Sequence, residues 1–522
     1  MNILQDFWGF VQLQSGKLLE QTLEHIGLTF ISLALAILIG LPLGLFITRY
    51  KKAVGPVFGI TGILQTIPSI ALLGFLIPVL GIGPKPAIFA LFLYSLLPII
   101  RNAFAGVTQV DATVKEAARG MGMTNWQLLT RVELPLALPV LFAGIRTAAV
   151  LNVGVATLAA YIAAGGLGEF IFGGIALNNT PMILAGAVPA ALLAIGIDFL
   201  LARLQNLRLP LLRPASLLLF LALPLLSSFY LFPNGSGFMA GLSPEFAGRA
   251  DGYPGLKATY GLDLNTVIMA PALVYKAVHE GDVDVIDGYS TDGKIKTYKL
   301  RVLKDDQHSF PPYQAAFLVR EPALTQHPEL REVLSLLSGT INDSTMTALN
   351  YQVDFAKASP AKVAQEYLQQ QGLWKPSRNG TGETIRLGSK IFTEQYILTE
   401  MLSQLIRGYT DLQVSAQTGL GGTKICFDAL AAGEIDAYPE YTGTGLQVIL
   451  NTPPAVAAGL SKSNDSVFKY VTDQFQEQYN IVWLPPLGFN NTYALMMREE
   501  QARSLKIRSI SDLKRHLTLL TK

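Results

Sequence analysis

Few residues in this chain have the type and spacing to do chemistry, and none form a set that makes or breaks covalent bonds. Five histidines (His25, His279, His308, His327 and His516) are scattered without metal-ligand spacing. The single cysteine, Cys426, excludes an intramolecular disulfide. A phosphate-cradling loop needs Gly-x-x-x-x-Gly-Lys-Ser/Thr. The only Gly-Lys pairs, Gly16-Lys17 and Gly293-Lys294, run on into Leu18 and Ile295. No cofactor, metal site or enzymatic activity is expected. What does stand out is a polar stretch carrying Lys115, Arg119 and Arg131 between long apolar runs. It reads Glu116-Ala117-Ala118, three residues, Gly122, nine residues, then Val132-Glu133-Leu134-Pro135. Glu-Ala-Ala alone would be no more than an amphipathic loop helix; the full spacing is the informative part.

The elements that hold this stretch are membrane spans. Half of the 522 residues are hydrophobic and only 15% are charged, with mean hydropathy +0.36. The excess is confined to the first half, which divides the chain into a membrane domain, 1–232, and a soluble domain, 236–522. A span needs about 20 apolar residues. Six are expected, near 27–48, 57–83, 87–105, 134–163, 182–204 and 214–232. The first is too far from the start to be a cleaved signal peptide. Basic residues follow the first, third and fifth spans: Arg49, Lys51 and Lys52, then Arg101 to Arg131, then Arg203, Arg208 and Arg213. The alternate loops hold little beyond Lys85. Positive charge therefore puts the Glu116–Pro135 loop in the cytoplasm and both ends outside. Arg146, inside an apolar run near the cytoplasmic start of its span, is expected to snorkel to the interface. A net charge of +2 gives no support to a nucleic-acid role.

The loop resembles the signature loop of ABC-importer permeases, where a short helix docks into a groove on a separate ATP-hydrolysing subunit. That resemblance implies a type I importer permease fold, coupling residues Glu116, Ala117, Ala118, Gly122, Leu134 and Pro135, two permease copies around one pore, and an ATPase on another chain. The soluble half alternates short strands with helical stretches, an α/β pattern. Strands are expected at Val283-Asp-Val-Ile-Asp, Ile385-Arg-Leu-Gly and Glu434-Ile-Asp-Ala-Tyr, and helices at 361–371, 393–408 and 424–433. Several of its segments resemble the extracytoplasmic binding proteins of osmoprotectant importers. They include Gly388-Ser-Lys-Ile-Phe-Thr-Glu-Gln395, Glu434-Ile-Asp-Ala-Tyr-Pro-Glu-Tyr441 and Leu487-Gly-Phe-Asn-Asn-Thr-Tyr493. Asp251-Gly-Tyr-Pro-Gly-Leu256, Gly288-Tyr-Ser-Thr-Asp-Gly293 and Asp305-Asp-Gln-His-Ser-Phe-Pro-Pro-Tyr313 belong with them. The implied fold is a two-lobe periplasmic-binding-protein-like domain of type II.

The order departs from that family. The closing half, 236–375, comes first; a Pro/Gly-rich linker, 376–383, follows; the opening half, 384–522, comes last. Circular permutation accounts for this, as do a remnant of tandem domains and an exchange of halves between two chains. One lobe should comprise 238–292 with 488–522, the other 300–372 with 384–484. By resemblance Tyr289, Tyr313, Tyr441 and Tyr493 wall a cage for a quaternary ammonium, whose diffuse charge suits aromatic faces. Arg249, Lys390, Gln395 and Thr444 are candidates for a carboxylate or hydroxyl. For Arg249 and Lys390, a solvated surface charge is nearly as good an account. The expected activity is ATP-driven uptake of glycine betaine, choline, carnitine or a similar osmoprotectant at the cell membrane, in contact with lipid, with the binding domain outside. Ergothioneine, another betaine-like solute or a polar amino acid is the alternative cargo. A membrane-anchored ligand sensor is the alternative of another class, although such a sensor needs neither the loop nor six spans.

Overall fold

The computed structural model describes residues 3–177, 179–206, 238–461 and 463–520. It separates into two compact units, the first drawn mostly from residues before 238 and the second mostly from those after.

The first unit is helical. After α1 (Ile3–Leu13) comes α2 (Ser15–Arg49), then α3 (Val54–Thr66), α4 (Ser69–Leu80) and α5 (Pro84–Thr108). The loop helices α6 (Ala112–Gly120) and α7 (Asn125–Leu128) precede α8 (Leu134–Ala159), α9 (Gly168–Ala176) and α10 (Thr180–Asn206). Among the described residues four helical stretches are long and apolar enough to cross a membrane: Ser15–Arg49, Pro84–Thr108, Asn125–Ile162 and Thr180–Arg203. These contain the first, third, fourth and fifth expected spans. The second, expected as one helix over 57–83, is broken: α3 and α4 meet at 99°. The cause is Pro68, which pushes Ile67 out of the helical region to ψ 126°. The Ile67 carbonyl released by the break accepts from the Tyr94 hydroxyl, and Gln65 Nε2 donates to the Tyr94 carbonyl at 2.8 Å. The sixth expected span, 214–232, with Arg208 and Arg213, lies outside the described residues.

Small residues set the helix spacing, as in membrane interfaces generally. A Cβ on Gly44 of α2 would fall 2.6 Å from Ala103 Cβ on α5. One on Gly144 of α8 would fall 2.5 Å from Asn102 Cβ. Three helices are also joined by polar side chains. Ser95 Oγ donates to Asn152 Oδ1 at 2.9 Å, and Asn152 Nδ2 donates to Ser32 Oγ at 3.0 Å, all three residues being buried. Arg146 does not rely on snorkelling. Its Nε and Nη2 each donate at 2.8 Å to Asp198 on α10, a two-pronged ion pair that meets the cost of carrying charge on an apolar helix. The sequence argument weighed Arg146 alone and passed over the acidic residue inside the next span.

The second unit holds two sheets. The first runs β2–β1–β3–β10–β4, from β1 (Met239–Leu242), β2 (Asn265–Ile268), β3 (Val285–Tyr289), β4 (Leu300–Val302) and β10 (Tyr493–Arg498). The second runs β7–β6–β8–β5–β9, from β5 (Ala315–Arg320), β6 (Thr384–Lys390), β7 (Gln413–Gly421), β8 (Ala437–Tyr441) and β9 (Ile481–Trp483). Each sheet mixes both stretches of sequence. β10 lies antiparallel between β3 and β4, and β5 lies antiparallel between β8 and β9. The expected helices form as Pro360–Gln370, Thr393–Tyr409 and Thr423–Ala432. The strand expected at 434–438 forms three residues later, as β8. One lobe boundary needs correction. Leu300–Val302 pairs with β10, Met496 opposite Val302, so the segment from 300 to about 303 belongs with the first lobe rather than the second.

Two crossovers join the lobes and run side by side. Tyr313 N donates to Asn490 Oδ1 at 2.6 Å, Asn491 N donates to the Tyr313 carbonyl at 3.0 Å, and Gln314 bridges Asn490 antiparallel. The 376–383 linker stays within one lobe: Arg378 N donates to the Arg407 carbonyl and Gly382 N to the Asp411 carbonyl, both at 2.9 Å. At the far side of the other lobe Phe238 and His516 are ring neighbours at 6.0 Å. Behind the second sheet, Phe427, Tyr438, Phe475 and Trp483 form the centre of an apolar core that also buries Cys426.

The Arg146–Asp198 pair makes a direct prediction. R146A and D198A should each lower the melting temperature of the detergent-solubilised protein, because each strands one charge. The double variant should lose less than the sum of the two single variants in a double-mutant cycle.

Candidate functional site

The cleft between the two sheets of the second unit encloses about 310 Å³ not filled by atoms, part of it open to solvent. Its wall is largely aromatic. Tyr289 ends β3 and Tyr493 begins β10 directly opposite it. Antiparallel pairing therefore stacks the two rings, 5.2 Å apart and 21° from parallel. Phe392, which precedes the helix Thr393–Tyr409, continues the series 5.5 Å from Tyr289 at 19°, and Tyr441 at the end of β8 follows 6.3 Å from Phe392 at 23°. Tyr313, from the first crossover, meets Tyr493 edge-on at 5.8 Å. All four expected tyrosines thus line one cavity.

Two of the phenols are tied to carboxylates. Tyr313 Oη donates to Asp251 Oδ2 at 2.5 Å, and Tyr441 Oη donates to Glu394 Oε1 at 2.6 Å. Burial, reinforced by these carboxylates, drives both phenols well above their ordinary range, so they remain neutral donors. A phenol donating to an anion shifts electron density toward its ring, which makes the face more attractive to a cation.

Arg249 and Lys390 also line the cleft, but neither is a solvated surface charge. Arg249 Nε and Nη2 grip Asp251 at 2.8 and 2.6 Å, and its guanidinium carbon lies 5.2 Å from the Tyr493 ring centre. Burial alone would raise the Asp251 carboxyl; the charge and hydrogen bonds of Arg249 outweigh it and hold it below the usual range. Lys390 Nζ donates to Glu440 at 2.5 Å and sits 5.2 Å from the Tyr441 ring centre. Thr444 lines the cleft as expected. Gln395 does not. It is fully buried behind the wall, its Nε2 donating to the Pro439 carbonyl at 3.0 Å and to Tyr441 Oη at 3.3 Å. Phe392 precedes that helix in extended backbone, at φ −153° and ψ 157°, so helical spacing does not carry Gln395 into the cavity with it.

Sequence reasoning missed Glu245, Phe392, Thr423 and Asn491 in the wall, and Glu394 behind it. Phe392 and Glu394 stand inside the Gly388–Gln395 segment and Asn491 inside Leu487–Tyr493, so position was available as a signal. Glu245 had none, since a single acidic residue after Ser243-Pro244 resembles any helix start. Its helix, Pro244–Gly248, is anchored from below: Ser243 N and Oγ donate to Asp287 at 2.7 and 2.6 Å. Three wall atoms, Tyr493 Oη, Asn491 Oδ1 and Thr423 Oγ1, are buried without a hydrogen-bond partner among the described residues.

In the first unit, Asp111 caps α6 and Thr124 caps α7 with a reciprocal Gln127 contact. Glu116 and Ala117 are exposed on α6, and Ala118 is buried beneath them. Gly122 makes the turn at φ +79°, a conformation that favours glycine, and Leu134-Pro135 opens α8. Glu133, fully buried, takes Arg49 and lies 3.9 Å from Lys115, which fixes the loop to its neighbours. Met121 and Trp126 are 71% and 72% exposed, an apolar tip left uncovered by the described residues.

Comparison with known proteins follows the same division. Residues 234–370 and 383–521, more than half of the chain, match the model of the substrate binding domain of ABC-type glycine betaine transport systems. The chain belongs to that family. Residues 36–213 match the binding-protein-dependent transport system inner membrane component. A glycine betaine/carnitine/choline transport system permease protein of Bacillus subtilis is 48% identical over 37% of this chain and 89% of its own length. An osmoprotectant import permease protein of Salmonella typhimurium is 50% identical over 37% of this chain and 91% of its own. A crystal structure titled as a glycine betaine/carnitine/choline ABC transporter is 38% identical, covering 27% of this chain and 53% of that one, with a TM-score of 0.22. This ABC-importer subunit is therefore a membrane protein that fuses permease and substrate-binding domain. It is a transport component, not an enzyme, and works with an ATPase partner.

Asp287 gives the site a measurable pH signature. Burial pushes its carboxyl up to about 6, against which the Ser243 hydrogen bonds act only partly. A carboxyl raised on folding stabilises fully below its unfolded value of about 3.9, and that contribution is lost as pH rises through the folded value. D287N cannot ionise. Its stability relative to the parent chain should rise between pH 4 and 7, by up to about 3 kcal/mol in denaturant titrations.

Proposed function

We propose that this subunit carries out ATP-driven uptake of quaternary ammonium compounds such as glycine betaine, choline or carnitine, in the service of osmoprotection. The observation that carries the proposal is the ring series Tyr493, Tyr289, Phe392 and Tyr441, with Tyr313 edge-on, in a cavity whose two cations are already neutralised by carboxylates. A trimethylammonium group cannot donate a hydrogen bond and is bound by such faces, each contributing about 0.5–2 kcal/mol. Tyr289, Tyr313, Tyr441 and Tyr493 would form the cage, with Arg249, Lys390 and Thr444 beside it and Gln395 holding Tyr441. A protonated primary amine of a polar amino acid would instead call for convergent acceptors.

In the full assembly two copies of the permease domain would line the pore in the lipid bilayer. Two copies of the ATPase would dock on the loops around Glu116, Ala117, Ala118, Gly122, Leu134 and Pro135, with Met121 and Trp126 adding an apolar contact. Six spans with the loop in the cytoplasm would put the binding domain on the periplasmic or extracellular side of the cell membrane. Circular permutation of that domain is supported by the interleaved sheets and by the contact of Phe238 with His516, which makes the two boundaries neighbours.

Calorimetry on the purified chain tests the cage. Y441A and Y493A should each weaken trimethylammonium binding at least about tenfold, while Y441F, which keeps the ring, should cost less. Undiminished affinity in both alanine variants would sink the proposal. Coupling is tested separately in vesicles that hold the chain and its ATPase. G122V and W126A should abolish accumulation yet leave solute affinity within about twofold.

A further inference from the structure

The cleft has an unusual charge balance. Its two cations do not offer a free charge to a ligand: Arg249 is held by Asp251 at 2.6 Å and Lys390 by Glu440 at 2.5 Å. The third charged side chain that lines the cleft, Glu245, has no ion pair among the described residues. Among the side chains that line the cleft, Glu245 is therefore the carboxylate without a cation; Glu394, behind the wall, also lacks an ion pair among the described residues but is met by four hydrogen-bond donors. Burial first, and then neighbouring charge that includes Glu245, pushes the Tyr289 and Tyr493 phenols upward, so this carboxylate stands close to both rings.

Glu245 also occupies the place where a ligand's own carboxylate would be welcome. The helix Thr423–Ala432 starts from Gly422, and a Cβ built there would lie 2.4 Å from Glu245 Oε1. A helix N-terminus favours an anion. Here the protein supplies that anion itself, from the opposite lobe. A zwitterion would have to bring a second carboxylate beside Glu245 in a poorly solvated cleft, where like charges repel strongly. A ligand that is only a cation meets no such repulsion.

The hydrogen-bonding atoms of the wall add a second requirement. Asn491 Nδ2 donates to Glu394 Oε1 at 2.8 Å, which fixes the amide orientation and leaves Oδ1 as an acceptor. That oxygen is buried and has no donor, and the Tyr493 hydroxyl is equally unpartnered. Buried polar atoms without partners are costly, so they mark where a ligand or an ordered water belongs. A hydroxyl can donate to Asn491 Oδ1; a carboxylate cannot.

We infer that Glu245 selects the net charge of the cargo, and that the site is built for a quaternary amino alcohol of choline type, a monocation carrying a hydroxyl, in preference to zwitterionic betaines. The inference rests on the aromatic-cage reading and narrows it. Calorimetry with choline and glycine betaine on the purified full-length chain, at one ionic strength, tests it. The parent chain should bind choline at least about tenfold more tightly, and E245Q should narrow the ratio to within about threefold, mainly by weakening choline. Equal or tighter binding of glycine betaine by the parent chain would overturn the inference while leaving the cage intact, and so would a ratio that E245Q does not move. Binding of neither solute would overturn the cage reading as well. The ratio in the parent chain stands as a test on its own should E245Q not fold.

Discussion

The geometry of the cleft depends on one buried carboxylate, Glu394. It accepts from Tyr441 Oη at 2.6 Å, Thr291 Oγ1 at 2.7 Å, Asn491 Nδ2 at 2.8 Å and Asn350 Nδ2 at 3.1 Å. These donors come from both lobes and from a crossover between them. Burial drives the carboxyl upward, and only this set of donors offsets the cost of keeping it inside. Such a hub is worth its position only if every donor is in place, so it specifies one arrangement of the wall. Tyr441 cannot rotate without losing the acceptor, and Asn491 cannot flip its amide without presenting oxygen to oxygen.

The same logic of paired charge recurs around the cavity. Asp251 serves Arg249 and Tyr313 together, and Glu440 serves Lys390 and Tyr438. Each carboxylate anchors one cation and one phenol, so ring position and charge position are set by the same side chain. The wall can then be crowded with aromatic faces without leaving a cation inside the cage to compete with the cargo. Asp287, one layer further out, does this for the helix that carries Glu245. Site stability and ligand preference are therefore linked through carboxylates, which makes both sensitive to pH.

Much of this was readable in the residues. Span positions followed from apolar length, and the four tyrosines were found because their turn segments resemble those of one family. What the sequence hid was pairwise. Arg146 looked like a snorkelling residue because its partner Asp198 stands 52 positions later on another helix. The break at Pro68 was hidden by apolar residues on both sides, since hydropathy does not register a bend. β4 was given to the wrong lobe because three residues of strand carry no sign of their partner, and that partner, β10, is almost 200 positions away. Gln395 was expected at the ligand, yet it stands behind the wall with Glu394, and both meet Tyr441 Oη, Glu394 accepting at 2.6 Å and Gln395 donating at 3.3 Å; residue type alone does not separate a lining side chain from one that backs it.

The crossovers between the lobes bear on the proposed rearrangement of chain order. The lobes are joined by 303–315 and 484–493, and the pairing of Tyr313 with Asn490 and Asn491 makes these two strands act as one unit. Neither boundary of the rearrangement falls there. The 376–383 linker closes within the lobe of β5 to β9, pinned to Arg407 and Asp411, and the Phe238–His516 contact lies in the other lobe. Under the proposed permutation, the order of segments changes only at links internal to each lobe and leaves the paired crossovers as they are.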